Sequence, residues 1–166
     1  MFFEKLKNYN VLLASNSKRR HELLNQLGVE FKIISQDINE SFSNKLKSSA
    51  ITDYLAKKKS SLLVKNLKKN DLLITSDTIV WHNDKALGKP KNRTEAFKMI
   101  RSLENSSHEV ITSICISTLN FQVIVNEKTL VYFDSIDEND LLYYTKTHDV
   151  LDRAGSYGIQ DYIGHV

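Results

Sequence analysis

The 166-residue chain is 41% hydrophobic and 26% charged with a formal net charge of +3, a balance that excludes disordered and membrane-spanning classes and allows a core without disulfides or a structural metal. No apolar run reaches transmembrane length, and Met1 to Asn10 carries Glu4, Lys5 and Lys7 where a secretory leader would be apolar, so a cytoplasmic location is expected. Cys115, the single cysteine, excludes an internal disulfide and reads as a core residue, and His21, His82, His108, His148 and His165 show no zinc-ligand spacing.

Asn10 to Ser15 reads as a short buried strand, followed by Leu23, Leu24 and Leu27 at helical spacing with Gly28 as the stop. Phe31 to Ser35 reads as a second strand, and Asp37 to Ser49 as a long polar loop. A helix is expected from about Thr52 to Leu67, turning Ile51, Tyr54, Leu55 and Leu62 to the core. Lys57-Lys58-Lys59 and Lys68-Lys69 read as solvated helix surface. Asp71 to Ser76 is the next buried strand, which Ile79-Val80-Trp81 continues or pairs with. Thr94 to Leu103 is helical on a stripe of Ala96, Phe97, Ile100 and Leu103. Glu109 to Thr118 and Phe121 to Phe133 flank Leu119-Asn120 as a hairpin, and Asp137 to Lys146 is a last helix before a loop from Asp149 to Gln160. Strands alternate with helices and then give way to a hairpin, which predicts an α/β fold, a mixed sheet with helices packed on it, in a single domain over residues 1–166.

Four segments offer chemistry. Ser15-Asn16-Ser17-Lys18-Arg19-Arg20 joins a strand to a helix. Ser17 can cap that helix, and the cations in its first turn, where acidic residues are usual, suit an anion such as phosphate; an exposed basic turn is the plain alternative. Ser76-Asp77-Thr78 ends a buried strand, the place where open α/β sheets bind ligands, so Asp77 could orient a metal or take a proton from water. Leu87-Gly88-Lys89-Pro90 offers close backbone approach and a point charge for phosphate. In Asp152 to Gln160, glycines around small residues leave space for a planar ligand, and the Gln160 amide can read a base edge. His108 reads as a structural hydrogen-bonding residue.

Taken in order, Leu13-Ala14-Ser15-Asn16-Ser17-Lys18-Arg19-Arg20-His21-Glu22-Leu23-Leu24, Ser76-Asp77-Thr78, Leu87-Gly88-Lys89-Pro90, His108-Glu109-Val110-Ile111-Thr112 and Ala154-Gly155-Ser156-Tyr157-Gly158-Ile159-Gln160 resemble the Maf family of nucleotide pyrophosphatases, and the match runs from about Val11 to Gln160. The resemblance implies an ITPase/Maf-like fold and hydrolysis of a nucleoside triphosphate to monophosphate and pyrophosphate with a divalent metal, Mg²⁺ or Mn²⁺. It places Asp77 as general base and Glu40 with Asp77 at the metal. Ser15, Arg19, Lys59 and Lys89 fall on phosphate-side positions with Arg20 as their neighbour, and Arg19, Thr78 and Gln160 on positions associated with substrate choice. Periodicity alone would favour Lys58 over Lys59; the Ala56-x-x-Lys59 pattern selects Lys59.

The Asp77-Thr78 pair and the run to Gln160 resemble the dTTP/UTP subtype, which sets the expected substrate partner, modified pyrimidine nucleotides included. A nucleotide-binding regulator with weak turnover, linked to cell division or septum formation, is the alternative. A nucleic-acid partner is not expected, since clustered aromatic and basic residues are lacking. Lys18 stands where the family usually has Pro, and Arg153 where it usually has Lys. The resemblance also implies that relatives continue past Gln160 through a further strand and helix, so the domain reads as short at its C-terminus, with a homodimer as one way to cover the exposed edge.

Overall fold

The computed structural model describes residues 4, 6–34 and 38–165. Ser35 and Asp37, at the edges of two expected segments, lie outside them. The elements are β1 (Asn10–Leu13), α1 (Lys18–Gln26), β2 (Lys32–Ile33), α2 (Ser49–Leu63), β3 (Asp71–His82), β4 (Lys85–Leu87), α3 (Arg93–Arg101), β5 (Ser106–Ser117), β6 (Gln122–Phe133) and α4 (Glu138–Thr147). Short 3₁₀ turns occupy Val64–Asn66, Ala154–Ser156 and Tyr162–Gly164. The sheet order is β2-β1-β3-β5-β6, with β4 paired to β3. β1 is parallel to β2 and β3, whereas β3 and β4 are antiparallel. This is the mixed α/β sheet expected.

Two compact units divide the chain, one made of Met1–Asp77 with Thr112–Asn126, the other of Thr78–Ile111 with Glu127–Val166. In the first, Val11, Val29 and Leu72 gather Leu6, Leu24, Phe31, Ile74 and Ile116 around them. α1 stops at Gly28, whose φ of +69° only glycine adopts without strain. There the Gly28 N–H donates to Asn25 and the Val29 N–H to Leu24, the paired bonds that close a helix C-terminus. Leu23 in this helix and Leu27 at its C-cap remain exposed. Thr118 closes the hairpin tip between β5 and β6: its N–H donates to the Phe121 carbonyl, and its hydroxyl accepts from the Asn120 and Phe121 N–H groups.

α2 corrects the expected core face. It begins at Ser49 and ends at Leu63, and Tyr54 and Leu62 stay exposed, beside Lys57, Lys58 and Ser61 in an open groove of about 290 Å³. The buried face is Ile51, Thr52, Leu55, Ala56 and Ser60. Three of these five residues are held through hydroxyl hydrogen bonds. Ser113 Oγ lies 2.6 Å from both Thr52 Oγ1 and Asp53 Oδ1, Ser60 and Ser117 share a 2.6 Å bond, and Thr75 Oγ1 donates to the Ala56 carbonyl at 2.7 Å. Counting apolar residues overlooks such a face, because small hydroxyl side chains can be buried once paired. Cys115 is fully buried beside Ser117, as expected.

In the second unit, β3 continues through Ile79-Val80-Trp81 to His82. Asn83 and Asp84, both at positive φ, turn the chain into β4, which pairs His82 with Lys85 and Val80 with Leu87. The core holds Val80, Ala96, Ile100, Leu103, Leu141, Tyr144 and Val150. Asn92 caps α3 by accepting from the Glu95 N–H, and Asp137 caps α4 by accepting from the Asn139 N–H.

Candidate active site

Ser76 and Asp77 lie midway along β3, which runs on to His82 instead of ending at Ser76 as the sequence suggested, and they are buried at 4% and 7% exposure. Lys59 lies three residues beyond Ala56 on the buried side of α2, and its ammonium stands 2.6 Å from Asp77 Oδ1 and 2.7 Å from Glu40 Oε1. It also reaches the Ser76 carbonyl at 3.4 Å. The same carbonyl accepts from Arg20 Nη1 at 3.0 Å, and that nitrogen also lies 3.3 Å from Ser15 Oγ. Ser15, Arg20, Glu40, Lys59 and Asp77, all singled out in the sequence, thus meet beside Ser76-Asp77 in the middle of β3. Lys59 is therefore no part of a solvated lysine run: its side chain is 12% exposed, whereas Lys58 donates to the Ser41 carbonyl and lies over the Tyr54 ring.

The turn before α1 is shaped differently from the sequence expectation. Ser17 occupies the N-cap position, yet its side chain makes no cap bond; instead the Ser17 N–H donates to Ser15 Oγ at 3.2 Å. His21 Nε2 bonds the Ser15 carbonyl at 2.7 Å. Ser15 is thereby fixed from both its hydroxyl and its carbonyl. Arg19 lies on the exposed side of α1.

Burial pushes the Asp77 carboxyl above the usual carboxylate range, and Glu40 adds to the rise, while Lys59 and Arg20 pull it down. A buried carboxylate with a raised proton affinity and a neighbouring ammonium can accept a proton and hand charge to a partner. Two carboxylates aimed at one point also supply the hard oxygen donors that suit Mg²⁺ or Mn²⁺. Among the described residues no group of three or more His, Cys, Asp or Glu could hold a metal. Glu40 and Asp77, converging on one ammonium, could supply two oxygens to such an ion.

The second unit carries Thr78, Lys89 and Gln160. Thr78 is half-buried and Gln160 exposed. Lys89 is paired with Asp152 at 2.5 Å, a partner that sequence reasoning did not assign. The Gly155 N–H donates to the Gly88 carbonyl at 3.2 Å, so the Lys89 turn and the Asp152 segment are bound by backbone as well.

The glycines here do not leave a cleft for a planar ligand. Gly155 is buried at φ +68°, and a Cβ built on it would stand 2.5 Å from Val80 Cγ2, so Val80 fills that space. Arg153 pairs with Asp161, which also accepts from the Tyr144 hydroxyl at 2.8 Å; that hydroxyl in turn accepts from the Gly158 N–H at 3.2 Å. Arg153, Tyr144 and Asp161 therefore hold the loop leading to Gln160. Their partnership spans the sequence too widely for local motif reading, although a charged pair bracketing Gly155 and Gly158 is its one local sign.

His108 is a structural residue here. It is 2% exposed, packed edge-on against Phe133 and Tyr157, and bonded through Nε2 to the Tyr157 hydroxyl at 2.6 Å. Its Nδ1 has no hydrogen-bond partner among the described residues, and burial lowers its pKa to about 4, with His82 adding to the fall.

The fold has a solved counterpart in the Staphylococcus aureus Ham1 protein, at a TM-score of 0.53 and 15% identity over 73% of this chain and 70% of that one. Residues 10–166 match the family described as Maf-like protein, and the chain belongs to that family. A protein of Flavobacterium johnsoniae named dTTP/UTP pyrophosphatase is 44% identical over 99% of this chain and 84% of its own length. Relatives of the same name from Christiangramia forsetii and Bacteroides fragilis are 46% and 42% identical, each again covered over 84% of its length. No helix among the described residues is long and apolar enough to cross a membrane.

Proposed function

We propose that this protein hydrolyses dTTP and UTP at the α–β anhydride, releasing the nucleoside monophosphate and pyrophosphate. The observation that carries this reading is the buried Asp77 carboxylate held against Lys59, with Glu40 and Arg20 beside it, in a chain 42–46% identical to three proteins named dTTP/UTP pyrophosphatase. Water adds to phosphorus as the anhydride P–O bond breaks, pyrophosphate leaves with the bonding electrons, and Asp77 takes the water proton. Such a transfer asks little covalent chemistry of the protein, and mainly requires alignment and neutralised charge. Lys59, Arg20 and Lys89 supply positive charge to the phosphates, with Ser15 positioning Arg20. Glu40 and Asp77 would hold the divalent ion, which when bound draws charge from the phosphate oxygens. Arg19, Thr78 and the Gln160 amide are assigned to substrate choice, the amide because it presents a donor and an acceptor to a base edge.

The test is a panel of nucleoside triphosphates with products separated by ion exchange. dTTP and UTP should give monophosphate and pyrophosphate, with ATP and 7-methyl-GTP turned over poorly. Diphosphate and orthophosphate as products would overturn the assignment.

A further inference from the structure

Lys59 takes three oxygens at once: Asp77 Oδ1 at 2.6 Å, Glu40 Oε1 at 2.7 Å and the Ser76 carbonyl at 3.4 Å. These include both carboxylates assigned to the metal, so the ammonium already stands where a hard cation would collect its oxygens. Two cations cannot share that position, because like charges in a partly buried site repel strongly. We propose that Lys59 is a resident counter-ion that keeps the Glu40–Asp77 site closed to free divalent metal, and yields it only when phosphate oxygens arrive to receive the ammonium. Metal then enters together with the nucleotide. This inference rests on the reading that Glu40 and Asp77 hold the metal.

The surroundings determine which parts can move. Lys59 and Asp77 side chains are 12% and 9% exposed, so either left unpaired would carry the penalty of a buried lone charge. The exchange must therefore give the ammonium a new anion as the cation arrives. Ala56 and Ser60, flanking Lys59 on α2, are fully buried, and both are tied by hydrogen bonds, which anchors the helix. What remains free to swing is the four-carbon lysine stem. Glu40 lies outside regular secondary structure with its side chain 54% exposed, so it can turn toward an incoming ion.

The experiment is titration of the nucleotide-free protein with Mn²⁺, following the signal of the free ion by electron paramagnetic resonance at fixed pH and salt. Wild type should bind weakly. Lys59→Met, which removes the charge and keeps the stem, should bind about tenfold tighter or more, the direction expected when one unit of like charge leaves the site. Lys59→Arg keeps the charge and should stay weak. Lys59→Gln, which retains a donor for Asp77, repeats the measurement should the Met variant fail to fold, as judged by its thermal transition. A non-hydrolysable dTTP analogue should tighten Mn²⁺ binding to wild type more than to either neutral variant. A folded neutral variant that binds Mn²⁺ no better than wild type overturns the proposal. That outcome is distinct from failure of the catalytic reading, which shows in wild type as no pyrophosphate released from dTTP or UTP.

Discussion

Acidification should weaken the folded state through His108, and the size of the effect follows from its surroundings. A proton added at Nδ1 meets no acceptor among the described residues, and Phe133 and Tyr157 pack against the ring. The folded pKa is accordingly lowered from 6.5 to about 4. Between those values the unfolded chain binds a proton that the native state does not, so stability falls as pH drops through the window and levels off below it. At roughly 1.4 kcal/mol per pKa unit, the full loss approaches about 3 kcal/mol, and about 2 kcal/mol is gone by about pH 5. With a urea dependence of about 2 kcal/mol per M, that is a midpoint shift of about 1 M. Urea unfolding of wild type and His108→Gln at about pH 7 and about pH 5 measures it, because glutamine does not titrate and comparing the two pH dependences cancels the cost of the substitution itself. His82, whose ring centroid is 6.4 Å from that of His108, is present in both proteins. If both lose the same stability on acidification, the buried neutral imidazole is not the source.

Asp77→Asn is expected to lower kcat by about 10²-fold or more while leaving the thermal transition in place, which steady-state kinetics and a melt check together. Because burial raises the Asp77 pKa above its ordinary 3.8, kcat/KM should fall as acid protonates the base, with a midpoint above the usual carboxylate range; a profile flat down to that range would remove Asp77 as the base. Gly155→Ala puts a side chain at φ +68° with its Cβ 2.5 Å from Val80 Cγ2, and should cost about 1–3 kcal/mol in denaturant unfolding.

The strands and most helices were readable in the sequence because their patterns are local. Val11 to Leu13 and Leu72 to Ile74 are continuous apolar runs, and Ala96, Ile100 and Leu103 mark one helical face. α2 was harder, since Thr52 and Ser60 are buried through bonds to Ser113 and Ser117, residues some sixty positions away that no helical period reveals. β4 escaped notice at three residues, although Asn83-Asp84 is a fitting two-residue hairpin turn. Of the candidate site, Asp77 was singled out for a strand end, but β3 carries on through Thr78 to His82, because Ile79-Val80-Trp81 continue the strand past the polar Ser76-Asp77-Thr78 run. Lys59 was not legible: periodicity pointed to Lys58, and the family pattern alone selected its neighbour. The partner Asp152 for Lys89 was invisible because the two lie 63 residues apart, and Asp161 for Arg153 left only the faint sign of opposite charges on either side of Gly155 and Gly158.

The hydroxyl-lined face of α2 has a consequence for aim. Methyl groups pack in many orientations at similar energy, whereas hydrogen bonds are directional, so a helix seated through Thr52, Ser60 and the Ala56 carbonyl is keyed against rolling about its own axis. A roll of one residue, about 100°, would exchange Lys59 for Lys58 or Ser60 at the Asp77 carboxylate. Replacing Thr52 and Ser60 with Val and Ala would leave the helix able to form and bury its face, but would loosen the angular setting that directs one of three consecutive lysines, and not its neighbours, to Asp77 in the middle of β3.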